Sequence, residues 1–200
     1  MSKIRVGLAV LASGLALAGC TNQVGGSAGS DTATPTAPDV TTTSPGSSTK
    51  VAPPVRPSVI KVDALDPCKA LTADQMKELG ASRTARQDAD LVKKGKAPGC
   101  LFSNTGYFTY NVVLIPNEGI GYWRQGSGNV DRNETQVSGF DAIQTNLIGQ
   151  HDSCSYWVDV ADGQIVYVNY LPIDDMPLDQ VCGKAKKGTE LALATLKTLA

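Results

Sequence analysis

This chain of 200 residues has one histidine, His151, and little aromatic content, at 6% of residues. A Ser-His-Asp hydrolase would rest on that single histidine and would need an activated serine beside it. No G-x-S-x-G elbow supplies one, since Gly126-Ser127-Gly128 lacks the strand-turn-helix context. There is no glycine loop ending in Lys-Ser or Lys-Thr to cradle phosphate, and no EF-hand spacing to hold calcium. Charge of one sign is also missing. Eighteen Lys and Arg against 19 Asp and Glu give a net charge of −1. That balance excludes partners captured by charge alone, nucleic acid above all. A membrane-spanning helix needs about 20 apolar residues. The longest apolar run here, residues 6–18, has 13.

That short run has a different meaning. Lys3 and Arg5 precede it, and Leu17-Ala18-Gly19-Cys20 closes it. A basic start, a short apolar segment and small residues before the cleavage point make a signal peptide. With cysteine at the cut, the pattern predicts a lipoprotein: residues 1–19 are removed and Cys20 carries a diacylglycerol thioether. The expected location is the extracytoplasmic face of the cell membrane, held by acyl chains such as palmitate. Two or three chains anchor stably where one does not. Loss of Lys3 and Arg5 would bring the mature chain near −3.

Residues 21–58 contain no aromatic residue, no Leu and no Ile. Such a stretch cannot bury enough apolar surface to offset its ordering entropy, so residues 20–58 are expected to form a disordered tether. A flexible coil of that length spans roughly 35 Å. Residues 59–200 then form one globular domain, long enough for a sizeable core.

Four cysteines follow Cys20: Cys68, Cys100, Cys154 and Cys182. No two sit in a C-x₂₋₄-C unit, which argues against zinc. An even number in an exported chain predicts two disulfides. Three connectivities are possible. Cys68–Cys100 with Cys154–Cys182 is favoured, each tying a helix to the first strand of the neighbouring hairpin. The runner-up joins Cys68 to Cys182 and holds the two helices together.

The pattern of elements predicts an α+β fold. Thr72-Ala73-Asp74-Gln75 has the form of a capping box, and Gly80 the form of a stop, so a short helix is expected over 73–79. A strand is expected within 82–88. Two β-rich hairpins follow, 100–115 and 154–171, the second turning at Asp162-Gly163. Each reads cysteine, strand, turn, strand, proline, through an internal duplication or through similar local needs. Residues 134–147 predict one or two further strands broken near Gly139. Leu178, Val181, Cys182, Ala185, Ala192, Leu193 and Leu196 recur at helical spacing and predict an amphipathic C-terminal helix of about five turns. Pro177 can start it, and Asp174 or Asp175 is its expected cap. The architecture expected is an antiparallel β-sheet packed against a long C-terminal helix and a short N-terminal one.

Alternation along the Cys154 strand puts Tyr156 and Val158 on the face of the cysteine, and Ser155, Trp157 and Asp159 on the other. Trp157, with Tyr122 and Trp123 from the glycine-rich loop 119–129, is the candidate ligand groove. The plainer reading is that these rings pack under the loop. No catalytic residue, metal site or cofactor is assigned. The carboxylate pairs Asp159/Asp162 and Asp174/Asp175 are better placed as turn and cap residues than as a glycosidase pair.

Lipobox, Thr/Ser/Pro tether, Asp66-Pro67-Cys68 before a short helix ending at Leu79-Gly80, Cys100 before an aromatic strand, Cys154 in a strand and Cys182 in an alanine-rich final helix together resemble an actinobacterial lipoprotein family. Its domain is known only as a domain of unknown function, number 3558. The resemblance spans roughly residues 59–200. It implies an actinobacterial source and an extracytoplasmic domain, and it brings no activity or ligand. The expected role is a non-catalytic binding or scaffolding module of the cell envelope, with an envelope protein, a lipid or a cell-wall fragment as partner. The first rival is a lipid or cell-wall-fragment carrier or sensor with an apolar cavity. The second is a hydrolase gathering His151, a carboxylate and a nucleophile.

Overall fold

A computed structural model describes residues 54–93, 95–126 and 128–200. The signal peptide, Cys20 and most of the tether lie outside the described residues. Among those described, no helix is long and apolar enough to cross a membrane.

Seven strands form one antiparallel sheet. They are β1 (Arg83–Arg86), β2 (Gly99–Asn104), β3 (Phe108–Ile115), β4 (Val130–Val137), β5 (Phe140–Leu147), β6 (Cys154–Ala161) and β7 (Gln164–Pro172). Their spatial order is β1-β2-β3-β7-β6-β5-β4. The two hairpins foreseen from sequence, β2–β3 and β6–β7, lie back to back, with Val112 opposite Val168 where they meet. That placement explains their common plan. Each supplies one central strand of β-branched and aromatic residues, and each sends a cysteine toward the helices.

The first and last helices share one face of the sheet. A 3₁₀ turn (Pro67–Lys69) leads into α1 (Ala73–Leu79), and α3 (Leu178–Leu199) crosses β6 and β7. The capping box of α1 is complete. Thr72 accepts from the Gln75 amide and Gln75 accepts from the Thr72 amide, while Gly80 closes the helix at φ 77°. Gln75 also bonds α3, donating to the Leu191 carbonyl and accepting from Thr195.

The final helix has 22 residues, about six turns rather than five. Neither Asp174 nor Asp175 caps it. The chain turns from extended to helical at Pro177, whose carbonyl accepts from the Gln180 and Val181 amides. The two aspartates sit too far upstream to reach those amides.

Between helices and sheet lies the main core, with Phe102, Tyr110, Leu114 and Val168 facing Val181, Leu193 and Leu196. Both disulfides border it. Cys68 is bonded to Cys100 and Cys154 to Cys182, so the 3₁₀ turn and α3 are each tied to a hairpin strand.

The one or two strands expected over 134–147 with a break near Gly139 are the β4–β5 hairpin, which begins earlier, at Val130, and turns at Ser138-Gly139 with φ of 52° and 81°. Both turn residues are left-handed, the geometry that follows the twist of a tight hairpin. Packing also begins ahead of the boundary expected near residue 59. The Val55 amide donates to the Asp141 side chain, and Arg56 pairs with Asp159 at 2.8 Å and with Asp162 at 2.6 Å.

Candidate functional site

On the sheet face away from α3, strand register builds two cross-strand rows. One runs Ile143, Trp157, Tyr167 across β5, β6 and β7. The next runs Thr145, Ser155, Asn169 across the same strands. Directly opposed residues of an antiparallel pair share a face, so an aromatic row lies beside a polar row.

The polar row fixes the rings beside it. Trp157 Nε1 donates to Thr145 Oγ1 at 2.9 Å. The Ser155 and Tyr167 hydroxyls are 3.1 Å apart, and Asn169 Nδ2 donates to Ser155 Oγ at 2.9 Å. Burial raises the Tyr167 phenol above its ordinary value, which keeps it neutral.

A short helix, α2 (Ile120–Arg124), roofs one side. Ile120 is buried and anchors it. Arg124 grips Glu134 on β4 through three contacts of 3.1–3.2 Å. Trp123 lies flat on Trp157, ring centres 3.9 Å apart and planes 23° from parallel. Tyr122 meets Trp123 edge-on at 4.9 Å, and the Lys93 ammonium sits 4.3 Å above the Tyr122 ring. Trp123 Nε1 is buried without a hydrogen-bond partner.

These elements enclose an open cleft of about 700 Å³, within the usual size range of ligand sites. Trp123, Trp157 and Tyr167 line it with Thr145, Ser155 and Asn169. Its rim carries Tyr122, which is 42% exposed, and Lys93; Arg132 of β4, which donates to the Val130 carbonyl, also lines it. The three residues proposed for a groove, Tyr122, Trp123 and Trp157, therefore meet at one cleft. The plainer reading of ring packing also describes part of the geometry, because Trp123 and Trp157 cover one another.

Sequence reasoning placed Ser155 on the face of Trp157 but missed Thr145, Asn169, Tyr167 and both cations. Counting back from the Asp162-Gly163 turn, where Ala161 faces Gln164, sets Val168 opposite Trp157 and Tyr170 opposite Ser155; a bulge between Asp159 and Ala161 shifts the register by one residue and brings Tyr167 and Asn169 there instead. Lys93 and Arg132 had no local signal, since one lies in a loop and the other on an edge strand.

His151 lies elsewhere, exposed in the β5–β6 connection. It borders a shallower depression of about 540 Å³ with Asp152, Asp174 and Asp175. No serine, threonine or cysteine is among the residues lining it. No group of three or more His, Cys, Asp or Glu could hold a metal among the described residues. Asp159 faces away from α3 as alternation required, but it belongs to a buried ion pair with Arg56 outside the cleft lining.

What the cleft offers chemically is stacking, hydrogen bonding from neutral side chains, and positive charge at the rim. The fold that carries it is a disulfide-tied α+β domain with an aromatic cleft on the sheet face opposite its long helix. Residues 15–195 match the family described as "protein of unknown function (DUF3558)", and the chain belongs to that family. No curated protein and no solved structure matches it.

Proposed function

We propose that this protein is a lipid-anchored module on the outer face of the cell membrane, which binds a small ligand in the cleft beneath α2 without transforming it. The cleft carries the reading: an ordered aromatic and polar surface, held in register by three strands and roofed by a pinned helix. A chain evolved only for scaffolding has no need to keep such a concavity open. Export is supported by the Leu17-Ala18-Gly19-Cys20 pattern and by two disulfides, which persist in oxidising compartments. The inner face is a poor place for a carrier cavity. There a methyl group on Gly188 would come within 2.5 Å of the Tyr110 ring.

Two measurements test this. Fatty-acid labelling should attach to the wild type and be lost in Cys20→Ser. Native mass spectrometry of protein extracted from its own membrane should show a small bound species that Trp157→Ala no longer retains. Unchanged labelling in Cys20→Ser would remove the anchor. A bound species retained equally by both proteins would remove the cleft as its seat.

A further inference from the structure

The residues around the cleft share a bias in charge. Two cations, Lys93 and Arg132, line it, and among the described residues no Asp or Glu does; Arg132 is already engaged, donating to the Val130 carbonyl, which leaves Lys93 to meet a ligand. The domain as a whole carries the two signs in nearly equal number, so this is a local segregation. The neutral polar groups are equally particular. Thr145, Ser155 and Asn169 run along the floor, and Gln125, Asn146 and Ser153 stand around it. They are hydroxyls and amides, each able to donate and to accept.

An acyl chain has no use for such a floor. A phosphate-led ligand would favour a cluster of backbone amides at one end, whereas here the polar groups are side chains spread along the cleft. A pyranose ring fits the distribution. Its C–H face carries partial positive charge and stacks on the electron-rich face of an aromatic ring, while its hydroxyls point outward all round the edge. The exposed ring of Tyr122 offers such a face at the rim. A carboxylate on the sugar would meet the Lys93 ammonium in a charge-assisted hydrogen bond.

Resting on the cleft as a binding site, we infer that its ligand is an acidic saccharide, a sugar or short glycan bearing a carboxylate. The sugar stacks at the aromatic rim, its hydroxyls are read by the polar row, and its carboxylate is held by Lys93. Lys93 already lies over Tyr122, so charge and stacking act on the same ring.

The chain carries its own reporter. It has two tryptophans, Trp123 and Trp157, and both line this cleft. Intrinsic fluorescence of the folded protein therefore reads ligand entry directly. The probes are glucuronic acid, galacturonic acid and N-acetylmuramic acid, each beside its neutral counterpart (glucose, galactose and N-acetylglucosamine), with adenosine monophosphate as an anionic ring that is not a sugar acid. In at least one pair the acid should shift tryptophan emission about tenfold more tightly than the neutral sugar, the effect of one charge-assisted hydrogen bond. Lys93→Gln, a change at an exposed side chain, should bring the acid to the level of its neutral partner, and so should added salt.

Equal binding of acid and neutral sugar overturns the carboxylate assignment. Tighter binding of adenosine monophosphate overturns the saccharide. Silence from every sugar overturns it too. In that case native mass spectrometry separates the two failures: another species lost in Trp157→Ala leaves the cleft a binding site for a different ligand, and no species at all removes both readings.

Discussion

The ring of Tyr110 on β3 occupies the space that Gly188 leaves in the middle of α3. A Cβ at Gly188 would come within 2.5 Å of the Tyr110 ring, and the phenol donates to the Lys184 carbonyl at 3.2 Å. Phe108 and Tyr170 pack against the same ring, at 5.6 Å and 4.7 Å between centres, so it has nowhere to retreat. Helix propensity alone favours alanine over glycine by about 1 kcal/mol. Overpacking here should outweigh it. Gly188→Ala is expected to lower stability by a net ~1–2 kcal/mol, read as a drop in the urea midpoint with an unchanged slope. A stabilised variant would show that the ring is free to move.

Arg56 and Asp159 set a pH dependence. Asp159 is 1% exposed, and burial raises its carboxyl above 3.8 despite the opposing charge of Arg56. A folded-state value above the unfolded one means that the native state takes up the proton first as pH falls. Relative to the unfolded chain, the Asp159 site thus favours folding below its unfolded value and loses that contribution as pH rises through the raised one. Arg56→Ala strips the charged form of its partner. Because Arg56 is itself partly solvated, the loss near neutral pH should be about 2–3 kcal/mol, at the lower end for a buried pair. It should shrink as the pH is lowered to about 4, where the raised Asp159 carboxyl has begun to take up its proton. Denaturation of both proteins at the two pH values checks this, and an equal loss at each would place the role of Arg56 in packing instead.

The same pair shows where the sequence stops being readable. Elements set by local chemistry were legible: the Thr72/Gln75 box, the stop at Gly80, the Asp162-Gly163 hairpin and the 3.6-residue stripe of α3. The groove residues were legible because β6 alternates and puts Trp157 opposite the cysteine face. Arg56 was not, since nothing in a Pro- and Thr-rich segment says that one arginine will reach a carboxylate 103 residues later. Gln75 shows the same limit. Its cap is written in the four residues Thr72-Ala73-Asp74-Gln75, but its bonds to Leu191 and Thr195 exist only because α1 and α3 share a sheet face. Pro177 was legible as the residue that starts α3, through its fixed φ, but the expected cap by Asp174 or Asp175 was not realised, because the helix begins directly at Pro177.

The two disulfides should stabilise to similar degrees. Their sequence separations are 32 and 28 residues, which in the chain-entropy picture correspond to roughly 3–4 kcal/mol each. Replacing Cys154 and Cys182 together with alanine should cost about that much, and should loosen α3 more than α1, because α3 loses its covalent tie to β6. Hydrogen exchange resolved by helix would show it. Uniform loosening of both helices would mean that the tie acts only on the unfolded chain.

The orientation of Trp157 depends on a single hydroxyl. Thr145 Oγ1 accepts from the indole Nε1 at 2.9 Å, and Trp157 is 8% exposed, so the N–H has little access to water. Thr145→Val keeps the side-chain shape and removes the acceptor. An orphaned buried donor costs about 1–3 kcal/mol, so a loss in that range is expected in denaturant unfolding. A second signal separates orientation from stability. Trp123 and Trp157 stack at 3.9 Å with planes 23° apart, close enough for their transitions to couple. Wild-type protein should therefore show an exciton couplet in circular dichroism that either Trp→Phe change abolishes. If the hydroxyl holds the ring in place, Thr145→Val should weaken the couplet while the protein is still fully folded. A couplet of undiminished size in Thr145→Val would assign the orientation to stacking between Trp123 and Tyr167 alone.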